Sequence, residues 1–327
     1  MPNVLIAPVP LRNQPGPFRD ALVAAGLTPI DLVGADPLSP EDLIPVLPDI
    51  DAVIAGGELF SAEMMRIAPR LRVVARAGVG YDAVDVVEAA KKGIVVTITP
   101  GTNHGSVAEH AFALLLALAR RVTLNDQSTR AGGWDRTVVR ALRESTLGLV
   151  GLGRIGRAMV VRASAFGMRV IAYDPIIDPA FEAHHGVARV ELDELLAEAD
   201  VVSLHLPLTP ETKRIFNADL FSKMKPDAIF LNTSRGGLVD EAALFDALTS
   251  GRLSGAGLDV FDREPPAKDN PLLTLPNVVV SPHIGGLDAT SMSDMALSAA
   301  RSIVDLHAGR WPTECVVNNE LRDGWKW

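Results

Sequence analysis

Apolar residues in the first hundred positions come in short runs, unbroken at 4–7 and 52–55 and interrupted once each, by Arg72 and Thr97, at 71–75 and 94–98, rather than in strict alternation. Runs of this length, rich in Val and Ile, predict strands buried on both faces. Helical spacing fills the stretches 16–25, 62–67 and 82–91, and Ser61 is placed to cap the second. Strand and helix in alternation predict a parallel sheet covered on both sides. Gly78-Val79-Gly80 follows the third run, a backbone that can approach a ligand closely because two positions lack a Cβ. Pro100-Gly101 breaks the pattern, and a long helix is expected over 106–120. From Thr146 a second series begins, with strands expected at 147–150, 169–173, 201–204, 228–231, 255–258 and 278–280 and helices at 192–197 and 241–249. The helical stretch 289–309 is expected to return to the first domain. The division predicted is 1–100 plus 289–327 for one domain and 101–288 for the other. No repeat at a solenoid period interrupts this.

Composition narrows the setting. The apolar stretch 111–119 is short for a membrane span and is closed by Arg120-Arg121, so it reads as a buried helix. The N-terminus has no basic region followed by a long apolar run, so no secretory signal is expected. Cys315 is the only cysteine, which excludes an intrachain disulfide and a multi-cysteine metal site and fits the cytoplasm. A net charge of −9 over 327 residues does not favour nucleic acid or an anionic membrane as partner, although a local basic pocket could hold a small anion.

The second series carries a nucleotide signature. TLGLVGLGRIGRAM places Gly151, Gly153 and Gly156 as G-x-G-x-x-G between a strand and a helix. The first glycine permits the tight turn, the second admits a pyrophosphate to the backbone, and the third allows close helix–strand packing. Phosphates would sit over the free N–H groups at the helix start. Asp174 ends the next strand, 18 residues beyond Gly156, where a carboxylate can accept from both adenosine ribose hydroxyls. It would repel the extra phosphate of NADP, and Pro175 rather than an arginine follows it, so NAD is the expected cofactor. Six strands suit a dinucleotide-binding domain.

Three residues follow later strands and suit work on a 2-oxo acid. Arg235, in FLNTSRGGLVD, can hold a planar carboxylate with two hydrogen bonds. His283, in VVVSPHIGG, can exchange a proton near neutral pH. A carboxylate beside it would favour the protonated form, and LDVFDREPP offers both Asp262 and Glu264. Local sequence does not separate the two acids. His205 follows a strand and is placed to line the cofactor cleft. His104 and His110 flank the expected long helix, where a hinge, surface or capping role weighs as much as catalysis, while His184, His185 and His307 read as surface or helix residues. Neither H-E-x-x-H nor G-x-S-x-G occurs, so no metal and no serine nucleophile is expected.

With these residues in place, the chain resembles the D-isomer-specific 2-hydroxy acid dehydrogenases, and within them the phosphoglycerate dehydrogenase-like group. RAGVGYD, VAEH, GLGRIG, LHLPLTPET, NTSRGGLVDE, GLDVFDREP and SPHIGG carry the resemblance, in order and over nearly the whole length. It implies an α/β fold of two Rossmann-like or flavodoxin-like domains with parallel sheets, the substrate domain discontinuous in sequence. It implies Arg235 on the substrate carboxylate, His283 as acid–base and Glu264 as its partner, with Val79 and Gly80 as a second carboxylate contact. Cofactor contacts are implied at Gly151, Gly153, Arg154, Ile155, Gly156, Asp174, His205, Pro207, Thr212, Thr233, Ser234, Arg235, Asp259, His283 and Gly285. A homodimer is implied, with the crossing helices and the loop near Trp134 embracing the partner.

Substrate choice is expected to lie with D-3-phosphoglycerate and 3-phosphohydroxypyruvate, with glyoxylate or hydroxypyruvate reduction as the alternative. Arg76 and Arg136 match phosphate-contacting arginines of the group, but Ala55-Gly56-Gly57 stands where another is expected. Leu287 replaces the usual polar residue after HIGG, and ALREST precedes the glycine motif. The length leaves no room for C-terminal regulatory domains, so serine feedback through one is not expected. A non-catalytic, NAD-binding corepressor-like regulator is the answer of a different class. The Arg235, Glu264 and His283 set argues against it.

Overall fold

The computed structural model describes residues 1–34, 37–176 and 178–327. They form two compact units, 1–103 with 287–327 and 104–286. The crossings therefore fall at 103/104 and 286/287, beside the expected 100/101 and 288/289, because Pro100-Gly101 lies in a turn and the next helix starts only at His104.

The first unit opens with strands β1 (Asn3–Ile6), β2 (Thr28–Asp31), β3 (Ala52–Ala55), β4 (Val73–Arg76) and β5 (Val95–Thr97). Helices α1 (Pro17–Ala24), α2 (Pro40–Leu43), α3 (Ala62–Arg66) and α4 (Val86–Lys91) connect them. The sheet is parallel, in the order β2-β1-β3-β4-β5. Side chains alternate between two cores, with Val4 and Ile6 on one face and Leu5 and Ala7 on the other. Ser61 caps α3 as expected, accepting from the Met64 N–H. The helix expected from 82 begins only at Val86, because Asp85 takes the Glu88 N–H and sets the cap there. Strand β2 has no counterpart among the expected strands. It contains Pro29 and lies at the sheet edge, where a missing N–H is tolerated.

The second unit begins with α5 (His104–Ala119) and α6 (Val122–Arg130). Its strands are β6 (Thr146–Val150), β7 (Arg169–Tyr173), β8 (Ala188–Arg189), β9 (Val201–Leu204), β10 (Ala228–Asn232), β11 (Leu253–Leu258) and β12 (Val278–Val280). The connecting helices are α7 (Arg154–Ala165), α8 (Pro179–His185), α9 (Leu192–Glu198), α10 (Ala218–Lys223) and α11 (Glu241–Thr249). All pairings are parallel, in the order β12-β11-β10-β9-β6-β7-β8. Leu149 faces a core built with Ala111, Leu115 and Met159, while Val150 faces one built with Phe216, Phe221 and Phe230. Helix α5 buries Ala111, Phe112, Leu114 and Leu115, and no helix among the described residues is long and apolar enough to cross a membrane.

The chain then returns to the first unit as α12 (Ala289–His307), capped by Asp288 and packed on α1, β3 and β4. Its small residues Ala296, Ala299 and Ala300 are fully buried, which lets the helix lie close on the sheet.

Candidate active site

Register sets the site of the second unit. Val280, Leu258, Asn232, Leu204, Val150 and Tyr173 pair side by side at the carboxyl ends of six adjacent strands. Open α/β sheets bind ligands outside this edge, at the point where strand order reverses, here between β6 and β9. Each strand in the row hands the chain to a residue singled out by the sequence.

At the reversal point β6 runs into the glycine turn. Gly151 has φ +104, and a Cβ there would lie 2.5 Å from the His205 carbonyl oxygen. A Cβ on Gly156 would lie 2.3 Å from the Gly151 carbonyl oxygen, so only glycine lets α7 start this close to the strand. A Cβ on Gly153 would meet nothing beyond its chain neighbours within 4 Å. Arg154 and Ile155 occupy the first turn of α7, whose N-cap Gly153 offers no side-chain acceptor. The first amides of this 12-residue helix are thus left for an anion. Asp174 accepts from the Leu152 N–H at 2.6 Å and the Ile176 N–H at 2.7 Å. A carboxylate has about four lone-pair sites, so acceptors remain for two hydroxyls.

The neighbouring strand ends supply polar atoms without partners. His205 Nε2 lies 3.0 Å from Ser203 Oγ, while its Nδ1 is buried with no hydrogen-bond partner. Burial pushes its imidazole down to about 3, so it stays neutral and acts only through neutral hydrogen bonds. Thr233 Oγ1 is likewise buried and unpartnered. An orphaned hydroxyl and imidazole nitrogen beside an open glycine turn fit a dinucleotide. Two other expected contacts are engaged within the chain. Ser234 Oγ donates to the Leu204 carbonyl at 2.7 Å, and Thr212 Oγ1 donates to the Pro207 carbonyl at 2.7 Å, closing the 207–212 turn.

Beyond β10, Arg235 is half-buried, and its Nη1 donates to the Ser234 carbonyl at 2.6 Å. The next residue locks two loops together. A Cβ on Gly236 would lie 1.8 Å from the Phe261 carbonyl carbon, so the Arg235 turn rests directly on the segment leading to Glu264. Glu264 Oε1 accepts from the Phe261 N–H at 3.0 Å, and Oε2 meets His283 Nδ1 at 2.7 Å. Asp262 points elsewhere, to Arg214 at 3.3 Å. The side chains of His283 and Glu264 are 47% and 36% exposed, which leaves the imidazole within reach of a ligand. Since Glu264 accepts at Nδ1, Nε2 is the nitrogen left to exchange a proton with one.

His283 stands at φ +54, a left-handed backbone that costs a non-glycine residue roughly 1–3 kcal/mol. Asp259 holds it there. Its carbonyl accepts from the His283 N–H at 2.8 Å, Oδ1 from the Ile284 N–H at 2.9 Å and Oδ2 from the Gly285 N–H at 2.8 Å. Burial alone would push the Asp259 carboxyl up, but hydrogen bonds from His110, Ser281, Ile284 and Gly285 together hold it below the usual range. Local sequence leaves His110 between a hinge, surface or capping role and a catalytic one, and the fold places it inside this network.

Residues expected from the first unit follow β4. Val79 is exposed, and Arg76 Nε donates to the Gly80 carbonyl at 2.9 Å. The Gly78 N–H donates to Thr99 Oγ1 at 3.0 Å, and the Thr99 N–H returns a bond of 3.0 Å to the Gly78 carbonyl. After β3, Glu58 is fully buried, an acid the sequence reading passed over. Its Oε2 accepts from the Gly56 N–H at 2.5 Å and its Oε1 has no hydrogen-bond partner. Arg136 is not brought to the strand-end row of its own unit. It is exposed beside a recess of about 480 Å³ that Arg121, Leu124 and Asp135 also line. The segment carrying it leads to the opposite, amino-terminal edge of the sheet, where Arg140 binds the carbonyls of Asp200 and Asp227.

Fold and site together define an α/β protein with a dinucleotide-binding sheet and an exposed histidine–carboxylate pair at its carboxyl edge. The chain belongs to the D-isomer specific 2-hydroxyacid dehydrogenase family, whose NAD binding domain matches residues 112–285. It is 44% identical over 292 residues to a glyoxylate reductase of Korarchaeum cryptofilum, covering 87% of this chain and 88% of the relative. It is 43% identical over 290 residues to the D-3-phosphoglycerate dehydrogenase of Mycobacterium tuberculosis, covering 86% of this chain and 55% of that protein. The chain thus spans about half the length of the phosphoglycerate dehydrogenases it matches. Among solved structures, the TT0316 protein from Thermus thermophilus superimposes with a TM-score of 0.85 at 40% identity, over 96% of this chain and 99% of the other.

Proposed function

We propose that the chain is an NAD-dependent oxidoreductase interconverting a small 2-oxo acid and its D-2-hydroxy acid. The observation that carries this reading is the 2.7 Å contact between His283 Nδ1 and Glu264, which leaves Nε2 to act on a ligand. Bound nicotinamide would supply or accept the hydride. His283 Nε2 gives a proton to the carbonyl oxygen in reduction and takes it from the hydroxyl in oxidation. Glu264 holds the ring through its contact with Nδ1. Arg235 binds the substrate carboxylate, and Val79 and Gly80 are further contacts on this reading. Gly153, Arg154, Ile155, Asp174, His205 and Thr233 hold the dinucleotide, and Asp174 with Pro175 after it favours NAD over NADP. A cytoplasmic homodimer belongs to the same reading, its association supported by exposed Trp134 and Val138, which are 80% and 97% accessible.

Among substrates, the unphosphorylated acids glyoxylate and hydroxypyruvate are favoured. A phosphate needs concentrated positive charge, and the turn after β3 provides a buried carboxylate instead. Arg76 acts electrostatically on that Glu58 carboxylate, so part of its charge is already answered within the unit. The second reading, 3-phosphohydroxypyruvate, is supported by Arg76 and by the names of the longer relatives. Initial rates of NADH oxidation with glyoxylate, hydroxypyruvate and 3-phosphohydroxypyruvate test both. The expected result is turnover of the first two with higher kcat/KM than of the third, and a loss of about 100-fold or more in kcat for His283→Ala with NADH still bound. Unchanged turnover in that variant sinks the acid–base role, and a preference for the phosphorylated acid selects the second reading.

A further inference from the structure

Proton counting gives the hydrogen bonds around Asp259 a direction. Ser281 Oγ donates to Asp259 Oδ1 at 2.6 Å, and a serine hydroxyl has one proton to give. His110 Nε2 lies 2.6 Å from the same Oγ, so Nε2 must be the donor in that contact. The same nitrogen is 3.2 Å from Asp259 Oδ1. The chain of donors therefore runs from His110 on α5, through Ser281 after β12, to Asp259 after β11. One turn earlier on α5, Ser106 Oγ donates to the Gly285 carbonyl at 2.7 Å. Residues four apart lie on one helix face, so α5 grips the segment 281–285 at both ends. The fit is close: a Cβ on Gly285 would lie 2.9 Å from Asp259 Oδ2 and 3.7 Å from the His110 ring.

Glu264 fixes the His283 ring through Nδ1 but does not hold the backbone on which the ring stands. That task falls to Asp259, whose carboxylate could rotate if only the Ile284 and Gly285 amides held it. We propose that His110 and Ser281 are positioning residues for His283, orienting Asp259 so that the left-handed turn is kept and Nε2 keeps its aim. The proposal rests on the acid–base role of His283 set out above.

Two readouts test it, one independent of activity. Hydrogen exchange of the Ile284 and Gly285 amides is expected to quicken on the order of tenfold or more in His110→Ala and in Ser281→Ala, the effect of losing one hydrogen bond of the network. Amides of β6 and α7 keep their rates. With the best 2-oxo acid, kcat falls on the order of tenfold, while KM for the acid stays within about twofold. His110→Gln keeps an Nε2–H donor and restores both readouts. The double variant is no worse than the worse single one, because both remove links of one chain. Additive losses, a His110→Gln as impaired as His110→Ala, or unchanged exchange at Ile284 and Gly285 would each overturn the proposal. If His110→Ala does not fold, Ser281→Ala and His110→Gln carry the same comparison. If the wild-type chain reduces none of the acids, the dehydrogenase reading fails and the catalytic half of the proposal with it. The exchange rates still decide whether the network holds the turn.

Discussion

Asp259 in the second unit and Glu58 in the first are almost equally cut off from solvent, at 1% and 0% exposure, and each follows the carboxyl end of a parallel strand. Their surroundings differ. Asp259 receives the Ser281 hydroxyl and the Ile284 and Gly285 amides, with His110 at 3.2 Å. Glu58 receives the Gly56 amide on one oxygen, and its other oxygen meets no hydrogen-bond partner. Burial pushes both carboxyls up. For Asp259 the donors outweigh it and the group sits below the usual range. For Glu58 burial outweighs its own and the Gly56 amides, and then Arg76, so the group sits above it. Burial sets the cost of a charge, and whether the groups aimed at it outweigh that cost sets the sign of the outcome. The second unit thus uses its buried acid to hold the turn that carries His283, while the first keeps one whose hydrogen bonding is incomplete.

Three substitutions press on this contrast. The largest effect is expected from Asp259→Ala, which leaves buried amides and a hydroxyl unpaired and should cost roughly 3–5 kcal/mol of stability in urea unfolding. A loss below about 1 kcal/mol would mean that the turn stands without its carboxylate. The Asp259 contribution is present above the ordinary carboxyl value and is lost as pH falls through its depressed folded value, so the gap between wild type and variant should narrow in acid.

His205, half-buried with its Nδ1 cut off from solvent, extends the rule to a base. Its folded value of about 3 lies below an unfolded value of about 6.5, so its contribution is full above pH 6.5 and lost as pH falls towards 3. His205→Gln should therefore flatten the acid decline by up to ~1.4 kcal/mol per pH unit, or ~2 kcal/mol between pH 6.5 and 5. An unaltered slope in urea midpoints would show that water reaches the ring.

The smallest effect is expected from Glu58→Gln. A raised carboxyl contributes fully below its unfolded value, and that contribution is lost as pH rises through the folded value. The variant should match wild type at about pH 4 and gain on it by pH 8. The same urea titration reads the difference, and a variant that loses ground at pH 8 would make the ionised Glu58 a favourable partner of Arg76.

What the sequence by itself determined is the succession of strands and helices and the chemistry placed at their ends. Short Val- and Ile-rich runs alternating with helical spacing read as strands covered on both faces, and residues just beyond such parallel strands emerge at one sheet edge. That is why Gly151, Asp174, Arg235 and His283 could be singled out from local pattern alone. Elements without such a pattern went unread. Strand β2 contains a proline and lies at an edge, and α6 buries none of its residues. Tertiary structure alone decided which side chains meet. His110 and Ser281 are 171 positions apart, and only the packing of α5 across the ends of β11 and β12 joins them through Asp259. Glu58 is buried beside Gly56 and Gly57, which rest against Pro8 and Pro37 of other loops, a cover that no local window contains. Arg136 shares the charge of Arg235 but sits on a segment that leads to the other edge of the sheet. Local sequence encodes which residue leaves which strand, whereas the register between strands, summed over the whole fold, sets the ångström-scale distances on which hydrogen bonds depend.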